Sequence, residues 1–235
     1  MSEYCVSLGM DDRKVIQSTE GYAFSQDSVL CANLMKAGPK DRLADLGCGG
    51  GIMGILALVK KGVKEVVGFD NDPYAVNLAV RNTKLNGLCD RMRVEEVSVT
   101  ELPRKNESGA FDKIVCNPPY YDFDDGNPNC GNAAARREGQ ATLEDFVRAG
   151  AGLLRFGGDF TLVMKVARLA DAVALFRKYS LEPKTVTFVL PKPDRAADIF
   201  VMTAKKGAAA GLKAEVLVVE DGQGNKTEAY KELYS

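Results

Sequence analysis

The 235-residue sequence contains no histidine and no tryptophan. Without histidine, the chain cannot form a histidine-based catalytic triad, an HExxH hydrolase site or a histidine-ligated zinc site. Any chemistry must also proceed without the side chain that most often titrates near neutral pH. These absences exclude several large enzyme classes before any motif is considered.

Paired cysteines and long apolar runs are missing as well. Six cysteines are present, but no two of them have the CxxC spacing of a metal or redox site. We therefore expect reduced, structural thiols in a cytoplasmic protein that holds no metal ion. No apolar run reaches the roughly 18 residues of a membrane span, and the N-terminus lacks the pattern of a signal peptide. We predict no membrane association, and the sequence leaves the oligomeric state open.

Strand-like and helix-like segments alternate through the middle of the chain. Buried strands are predicted at Arg42–Leu46, Glu65–Phe69, Met92–Val97, Lys113–Cys116 and Phe160–Val166, with a strand pair at Thr185–Leu190 and Ile199–Ala204. Helices are predicted at Ile52–Val59, Asp72–Leu85, Thr142–Leu154 and Asp171–Tyr179, with a Gly157-Gly158 turn after the third. This alternation predicts an α/β fold with a Rossmann-like, doubly wound and mostly parallel sheet.

A glycine-rich segment from Asp45 to Gly51 follows the first predicted strand and precedes a helix. The alternate glycines Gly47, Gly49 and Gly51 allow a tight turn and a close approach of backbone N–H groups to a ligand. Asp70 ends the next strand, where a carboxylate can accept hydrogen bonds from ribose hydroxyls. Because the literal GxGxxG pattern also occurs, the segment is typical of either a nucleotide site or a purely structural turn.

Asp45 distinguishes between the nucleotide cofactors that such a loop can bind. In a pyrophosphate-binding loop, its carboxylate would repel the phosphates and weaken binding. S-adenosylmethionine instead carries a sulfonium and an ammonium, which a carboxylate attracts. The residue types therefore favour S-adenosylmethionine over NAD.

The segment Asn117-Pro118-Pro119-Tyr120 follows the predicted fourth strand, at the edge where doubly wound sheets bind ligands. Its prolines fix the backbone and remove two donors, so that carbonyl groups are free to accept hydrogen bonds. The Asn117 side-chain oxygen and the Pro118 carbonyl can accept both N–H groups of a planar amine, and Tyr120 can stack on a flipped base. Methylation of such an amine by a sulfonium needs no histidine. A diproline turn without chemistry is the alternative.

Together these motifs resemble the class I S-adenosylmethionine-dependent methyltransferases that act on amino groups, and more narrowly the tRNA1(Val) adenine-N6-methyltransferase family. The resemblance covers nearly the whole chain, including Gly21–Ser28 and the tail around Thr227–Tyr234. It implies a seven-stranded sheet in which the C-terminal hairpin supplies an antiparallel strand. It also implies that Asn117 binds the target amine.

Further site residues come from the same resemblance. Phe24 and Asp27 are expected to border the cofactor, while Ser25 caps the following helix and Asp27 lies in its first turn. Ser98 stands where relatives often carry an acid that contacts the cofactor's adenine. Relatives carry histidine where this chain has Arg137 and Leu190.

Basic residues are concentrated in one part of the chain. The region from Lys165 to Lys213 has ten basic and four acidic residues, although the whole chain has a net charge of −1. Such an excess is typical of a solvated rim or of an RNA-binding surface. The residues that we predict to contact RNA are Arg136, Arg137, Lys184, Lys192, Arg195, Lys205 and Lys206.

The sequence thus predicts a segment at 1–40 bordering substrate and cofactor, a methyltransferase domain at 41–206 and a tail at 207–235 that packs on this domain. The expected reaction is methylation of an adenine N6 amine in RNA, with tRNA as the substrate. A protein glutamine N5-methyltransferase is one alternative, although only 44 residues precede Asp45, too few for the helical domain that such enzymes carry. A catalytically inactive RNA-binding protein with this fold is the other.

Overall fold

The computed structural model describes residues 2–10, 12–19, 23–119 and 141–234. Two strands, Glu3–Ser7 (β1) and Lys14–Ser18 (β2), form an antiparallel hairpin of their own. The other strands are Arg42–Leu46 (β3), Glu65–Asp70 (β4), Met92–Glu96 (β5), Phe111–Cys116 (β6), Leu154–Lys165 (β7), Leu181–Leu190 (β8), Ile199–Lys206 (β9) and Lys213–Val218 (β10). The helices are Gln26–Leu34 (α1), Ile52–Lys60 (α2), Pro73–Leu85 (α3), Leu143–Leu153 (α4), Leu169–Lys178 (α5) and Glu228–Glu232 (α6).

The main sheet has the strand order β10-β8-β9-β7-β6-β3-β4-β5. Only β9 is antiparallel to its neighbours, β7 and β8, and every other pair is parallel. The predicted α/β, Rossmann-like fold with an antiparallel strand from the C-terminal hairpin is therefore confirmed. Parallel strands buried on both faces form continuous apolar runs, which is why their positions were predictable.

The described sheet contains eight strands rather than the expected seven. The additional strand, β10, pairs in parallel with β8 at the edge of the sheet, and its first four residues are exposed. An edge strand with so little buried surface lacks the apolar pattern that identifies a strand in a sequence. The β1–β2 hairpin was not predicted either, because β2 has no run of apolar residues and is held by contacts with α3, which is distant in the chain.

The predicted Gly157-Gly158 turn is wrong, because β7 begins at Leu154 and continues through both glycines. In the pairing with β6, Phe111 lies opposite Leu154 and Lys113 lies opposite Asp159. The extra residues form a bulge in β7 between Leu154 and Asp159, and both glycines lie within it. Gly157 has a φ of 75°, and a Cβ on Gly158 would lie 2.7 Å from Leu154 Cδ1. The glycines therefore permit a bulge within the strand and do not end it.

Two apolar clusters cover the two faces of the sheet. Phe69, Phe160 and Phe176 belong to the cluster beneath α4 and α5, whereas Leu43 and Ile55 belong to the cluster beneath α1 and α2. No helix in the described ranges is long and apolar enough to cross a membrane. The core thus holds β3, β4 and β6 rigidly, and their carboxyl ends carry the motifs singled out in the sequence.

Candidate active site

Three of the sequence motifs meet at one edge of the sheet. Strand β3 lies between β4 and β6 and is parallel to both. The glycine-rich loop follows β3, Asp70 ends β4, and Asn117 follows β6. Parallel strands have their carboxyl ends on the same side of the sheet. The fold therefore brings the glycine-rich loop, the Asp70 carboxylate and the Asn117 amide close together at the carboxyl ends of the strands.

The glycine loop has a left-handed backbone conformation that residues with a Cβ adopt only with strain. Gly47, Gly49 and Gly51 have φ values of 68°, 51° and 82°, all in the left-handed region. A Cβ added to Gly51 would lie 3.1 Å from Met92 Cε, so this glycine also permits close packing. A Cβ on Gly49 would meet no atom within 4 Å. Gly49 therefore faces open space, where a ligand can approach the backbone.

Asp70 connects the loop to the neighbouring strand. Its Oδ2 accepts a hydrogen bond from the Gly49 N–H at 2.8 Å, and its Oδ1 accepts one from the Asp72 N–H at 3.0 Å. Burial raises the pKa of Asp70, and these two backbone donors oppose that effect. The carboxylate is held in place and keeps lone pairs that can accept hydrogen bonds from ribose hydroxyls.

Asp45 is completely buried beneath the loop. Its Oδ2 accepts a hydrogen bond from the Gly54 N–H at 3.1 Å, whereas its Oδ1 has no partner among the described residues. Burial, together with the nearby charge of Asp70, raises the pKa of Asp45 to about 7. A buried carboxylate oxygen without a donor is costly. The cationic ammonium of S-adenosylmethionine would compensate for this cost, so the residues present fit that cofactor.

Asn117 is held by two serines at the start of α1. Its Nδ2 donates hydrogen bonds to Ser28 Oγ at 2.8 Å and to Ser25 Oγ at 3.3 Å. Ser25 Oγ also accepts from the Ser28 N–H, which confirms the predicted helix cap, and Asp27 lies in the first turn as expected. With its amide nitrogen engaged by hydroxyl groups, Asn117 has its side-chain oxygen left as an acceptor.

Ser28 is a site residue that sequence reasoning missed. It is buried, with 8% of its surface exposed, and it accepts the shorter of the two Asn117 hydrogen bonds. The available signal was the Ser-x-x-Ser spacing at a predicted helix start, which places Ser25 and Ser28 on one side of the first turn. Only the fold shows that this side meets the end of β6.

The remaining predicted site residues have varied surroundings. Pro118 is buried and Phe24 is half-buried against the cluster beneath α1 and α2. Ser98 follows β5, and its Oγ accepts a hydrogen bond from the Thr100 N–H at 3.2 Å. The roles of Phe24 and Ser98 toward the cofactor, and of the Pro118 carbonyl toward the target amine, stay predictions. Tyr120, Arg136 and Arg137 lie outside the described residues.

The β1–β2 hairpin is attached to the glycine loop through α3. Asn82 Oδ1 accepts from the Ile16 N–H at 2.6 Å, and its Nδ2 donates to the Ile16 carbonyl at 3.1 Å and to the Gly50 carbonyl at 2.9 Å. One turn later, Asn86 makes the equivalent pair of hydrogen bonds with the backbone of Lys14. The two amides act as a neighbouring strand would, and Asn82 also holds the loop.

We expect Asn82→Ala to weaken S-adenosylmethionine binding about tenfold, because the Gly50 carbonyl loses its buried donor. Asn86→Ala is the matched control, since Asn86 holds the same hairpin but has no bond to the loop. Calorimetric titration of both variants measures the difference. Equal losses of affinity would show that attachment of the hairpin, and not the loop contact, determines cofactor binding.

The predicted RNA-contacting lysines lie at two different edges of the sheet. The register of β7 and β9 pairs Lys165 with Ile199 and Asp159 with Lys205, so Lys205 lies at the edge opposite the glycine loop. Lys206 Nζ donates to the Ala151 and Leu154 carbonyls, Lys205 Nζ pairs with Asp159, and Lys184 Nζ donates to the Ala209 carbonyl. RNA contact by Lys184, Lys205 and Lys206 stays a prediction, but their ammonium groups already have partners and Lys205 lies far from Asn117, so we expect other basic residues to bind the substrate.

The basic excess of this region is also largely neutralised. Seven of its ten basic side chains form ion pairs with carboxylates, namely Lys165, Arg168, Arg177, Lys178, Lys192, Lys205 and Lys213. Lys192 and Arg195 follow β8 at the same edge as Asn117, and both are exposed. The Lys192 Nζ to Glu220 distance is a long 3.9 Å. These two residues remain candidates for RNA contact.

The eight-stranded order, the loop after β3, the acid at the end of β4 and the asparagine after β6 define a class I S-adenosylmethionine-dependent methyltransferase. The sequence model of the family described as Methyltransferase small domain matches residues 24–190. The chain therefore belongs to the Methyltransferase small domain family. Family membership and the fit of Asp45 and Asp70 together identify S-adenosylmethionine as the cofactor.

Curated relatives have several different substrates. A protein named as an N5-glutamine methyltransferase in Methanocaldococcus jannaschii is 42% identical over 103 residues, which cover 43% of this chain and 48% of that protein. The tRNA1(Val) (adenine(37)-N6)-methyltransferase of Shewanella sp. strain W3-18-1 is 24% identical over 91% of this chain and 90% of its own length. The chain thus spans about half of the first relative and nearly all of the second.

Solved structures share the fold at lower sequence identity. A predicted O-methyltransferase from Agrobacterium tumefaciens has a TM-score of 0.73 and 23% identity, covering 89% of this chain and 95% of that one. Geranyl diphosphate C-methyltransferase from Streptomyces coelicolor, solved with S-adenosyl-L-homocysteine, has a TM-score of 0.57 and 16% identity, covering 77% and 79%. These likenesses support the fold assignment and leave the methyl acceptor open.

Proposed function

We propose that this protein transfers the methyl group of S-adenosylmethionine to the exocyclic N6 amine of an adenine in RNA, with tRNA as the substrate. The observation that carries the proposal is the Asn117 side chain, whose nitrogen is bound by Ser25 and Ser28 and whose oxygen is left to accept a hydrogen bond. Similarity to tRNA adenine-N6-methyltransferases over 91% of the chain supports RNA as the acceptor.

The chemistry assigned to the site residues follows from this arrangement. Bound S-adenosylmethionine supplies a methyl group on a positively charged sulfur, which needs no further activation. Asn117 Oδ1 and the Pro118 carbonyl oxygen each accept a hydrogen bond from one N–H group of the amine. These two bonds would direct the nitrogen lone pair toward the methyl carbon. Transfer of the methyl group from sulfur to this nitrogen would leave the nitrogen positively charged, and one of its protons would then go to water. No residue that titrates near neutral pH is required.

A protein glutamine N5-methyltransferase is the second candidate. The observation that favours it is the 42% identity over 103 residues to the Methanocaldococcus jannaschii protein with that name. A glutamine side-chain amide is also a planar nitrogen with two N–H groups, so the acceptors on Asn117 and Pro118 would serve it equally well. The acceptor must therefore be identified by experiment.

Incubation of the purified protein with S-adenosylmethionine labelled in the methyl group tests both functions. Total RNA and a protein extract are offered separately, and the products are analysed by nucleoside and peptide mass spectrometry. We expect N6-methyladenosine within a tRNA fragment and about a hundredfold less label, or lower, with the Asn117→Ala control. Label in a glutamine side chain and none in RNA would overturn the RNA proposal in favour of the second candidate.

Two pairs of basic residues, at opposite ends of the strands, test where RNA binds. We expect the double variant Lys192→Ala/Arg195→Ala to weaken RNA binding about tenfold and to lower the salt dependence of binding by about two counterions. Lys205→Ala/Lys206→Ala makes the same charge change at the opposite edge and should leave RNA affinity unchanged. Filter binding over a salt series measures both, and equal effects of the two variants would show non-specific attraction only.

A further inference from the structure

The strand β10 forms one edge of the main sheet, and β8 is its only neighbour among the described strands. In a parallel strand, alternate residues turn both their N–H and their C=O group toward the same side. The N–H of Val219, directly after β10, donates to the Leu190 carbonyl of β8 at 2.8 Å. The odd-numbered residues of β10 therefore face β8, and the even-numbered residues point their backbone groups away from the sheet.

These outward backbone groups are covered at one end of the strand only. The Val218 carbonyl accepts a hydrogen bond from the Thr227 hydroxyl at 2.6 Å, so the chain that follows β10 closes this end. No described residue forms a hydrogen bond with the outward backbone groups of Val216 and Ala214, or with the backbone of Leu212, which directly precedes the strand. Three alternate positions are therefore open, and Ala214 is the middle one.

The side chains at the open positions are apolar and exposed. Val216 has 63% of its surface exposed and Leu212 has 52%. Val216 lies in register with Phe188 of β8, which is itself only half-buried at the margin of the cluster beneath α4 and α5. Sheet edges with open backbone groups and apolar side chains readily pair with another strand, and proteins usually avoid them. This edge is therefore suited to a partner strand.

The charged residues of β10 indicate which strand that is. Lys213 and Glu215 lie on the opposite face of the strand and are ion-paired at 2.8 Å. When two copies of β10 are aligned antiparallel about a two-fold axis at Ala214, Lys213 of each copy lies opposite Glu215 of the other. An axis at Lys213 would place two lysines opposite each other, and an axis at Glu215 two glutamates, and such like-charge pairs are destabilising.

The same alignment also matches the open positions. Leu212 of each copy lies opposite Val216 of the other, and Ala214 lies opposite itself. Because these residues carry the outward backbone groups, their N–H and C=O groups can form the ladder of an antiparallel pair. Backbone groups, apolar side chains and charges thus all agree on one register, and a two-fold contact of this kind closes on itself.

We propose that this protein forms a homodimer through antiparallel pairing of β10 with β10 of a second copy, centred on Ala214. The contact is one strand long, so the dimer is weak and dissociates on dilution. Since β10 runs in the same direction as β3, β4 and β6, the two-fold axis places the glycine loops of the two subunits at opposite ends of the strands. Both sites stay open, and the proposal does not depend on the methyl acceptor.

Two charge variants that are mixed with each other test both the contact and its register. In a dimer, Lys213→Glu places two pairs of acids opposite each other, and Glu215→Lys places two pairs of lysines. Sedimentation velocity of the full chain over a concentration series measures the association. We expect the wild type to dimerise reversibly and each variant alone to associate about tenfold more weakly, or less. An equal mixture should regain dimerisation, because opposite charges then meet between the two chains.

Mixing restores only contacts between chains, so it distinguishes the dimer from the ion pair within one strand. Lys64→Glu and Asp90→Lys are the matched controls, since both residues are exposed, precede β4 and β5 at the opposite edge of the sheet and undergo the same changes in charge. Each control should associate as the wild type does, and melting curves confirm that every variant is folded.

Three results would overturn the proposal. They are a wild type that stays monomeric at about millimolar concentration, single variants that associate as the controls do, and a mixture that associates no better than its components. A monomeric wild type would leave the edge to a strand of a different protein. Sedimentation reads neither methyl transfer nor RNA binding, so failure here is distinguishable from failure of the proposed function.

Discussion

Asn117→Ala is expected to reduce methyl transfer by about 10²- to 10³-fold, the range seen when one positioned hydrogen-bonding group is removed from an active site. Cofactor affinity should change by less than about twofold, because Asn117 hydrogen-bonds Ser25 and Ser28 and not the glycine loop. Single-turnover transfer and calorimetric titration measure the two quantities separately. A parallel loss of transfer and cofactor binding would contradict the role given to Asn117.

Ser28→Ala is a milder test of the same arrangement. The substitution removes the 2.8 Å hydrogen bond to Asn117 Nδ2 and leaves the weaker bond to Ser25 in place. We expect transfer to slow by about tenfold, because the amide orientation is less well determined. The Asn117→Ala/Ser28→Ala double variant should be no slower than Asn117→Ala alone, and additive losses would show that Ser28 acts independently of Asn117.

The second large effect concerns Asp45 and pH. Its pKa is about 7, so the carboxylate is ionised above this pH and neutral below it. Because only the ionised form attracts the cofactor's ammonium, affinity for S-adenosylmethionine should fall as the pH is lowered from about 8, approaching tenfold per unit below the pKa. Calorimetric titrations in a series of buffers measure this dependence. An affinity that does not change with pH would exclude Asp45 as the ammonium partner.

Asp45→Asn is the control for this dependence. At about pH 8 it should bind S-adenosylmethionine between about ten and a hundred times more weakly, with no pH dependence left from this group. The stability of the wild-type protein should depend on pH in the opposite way to its cofactor affinity, falling as the pH rises. The pKa of Asp45 is raised by folding from 3.8 to about 7, so its protonated form favours the folded state at low pH, and this contribution is lost as the pH rises through 7.

The cofactor-free variant should therefore melt at a higher temperature than the wild type at about pH 8, because it lacks a buried unpaired charge. The difference should disappear near pH 4, where the wild-type carboxyl is itself protonated. Weaker binding together with higher stability distinguishes loss of a charge contact from misfolding. A variant that melts lower than the wild type at about pH 8 would contradict the account of Asp45.

Much of the fold was predictable because its central strands and helices have strong local patterns. Strands β3 and β4 are short apolar runs, and the helix α3 begins with Asp72 as its cap and Pro73 in its first turn. The hairpin β1–β2 and the edge strand β10 lack such patterns, since they depend on contacts with distant residues. Asn82, which holds β2, is 66 residues away from Ile16 in the chain.

The candidate site likewise has features that the sequence predicts and contacts that only the tertiary structure shows. The sequence by itself determined the residue types at three strand ends, because the glycine loop, Asp70 and Asn117 follow predictable buried strands. Tertiary structure alone decided which groups meet there: Ser28 against Asn117, and Asn82 against Gly50. It also separated Lys205 and Lys206 from that edge, since the direction of β9 is set by its pairing with β7. Local patterns specify elements, but contacts between residues far apart in the chain depend on how those elements pack.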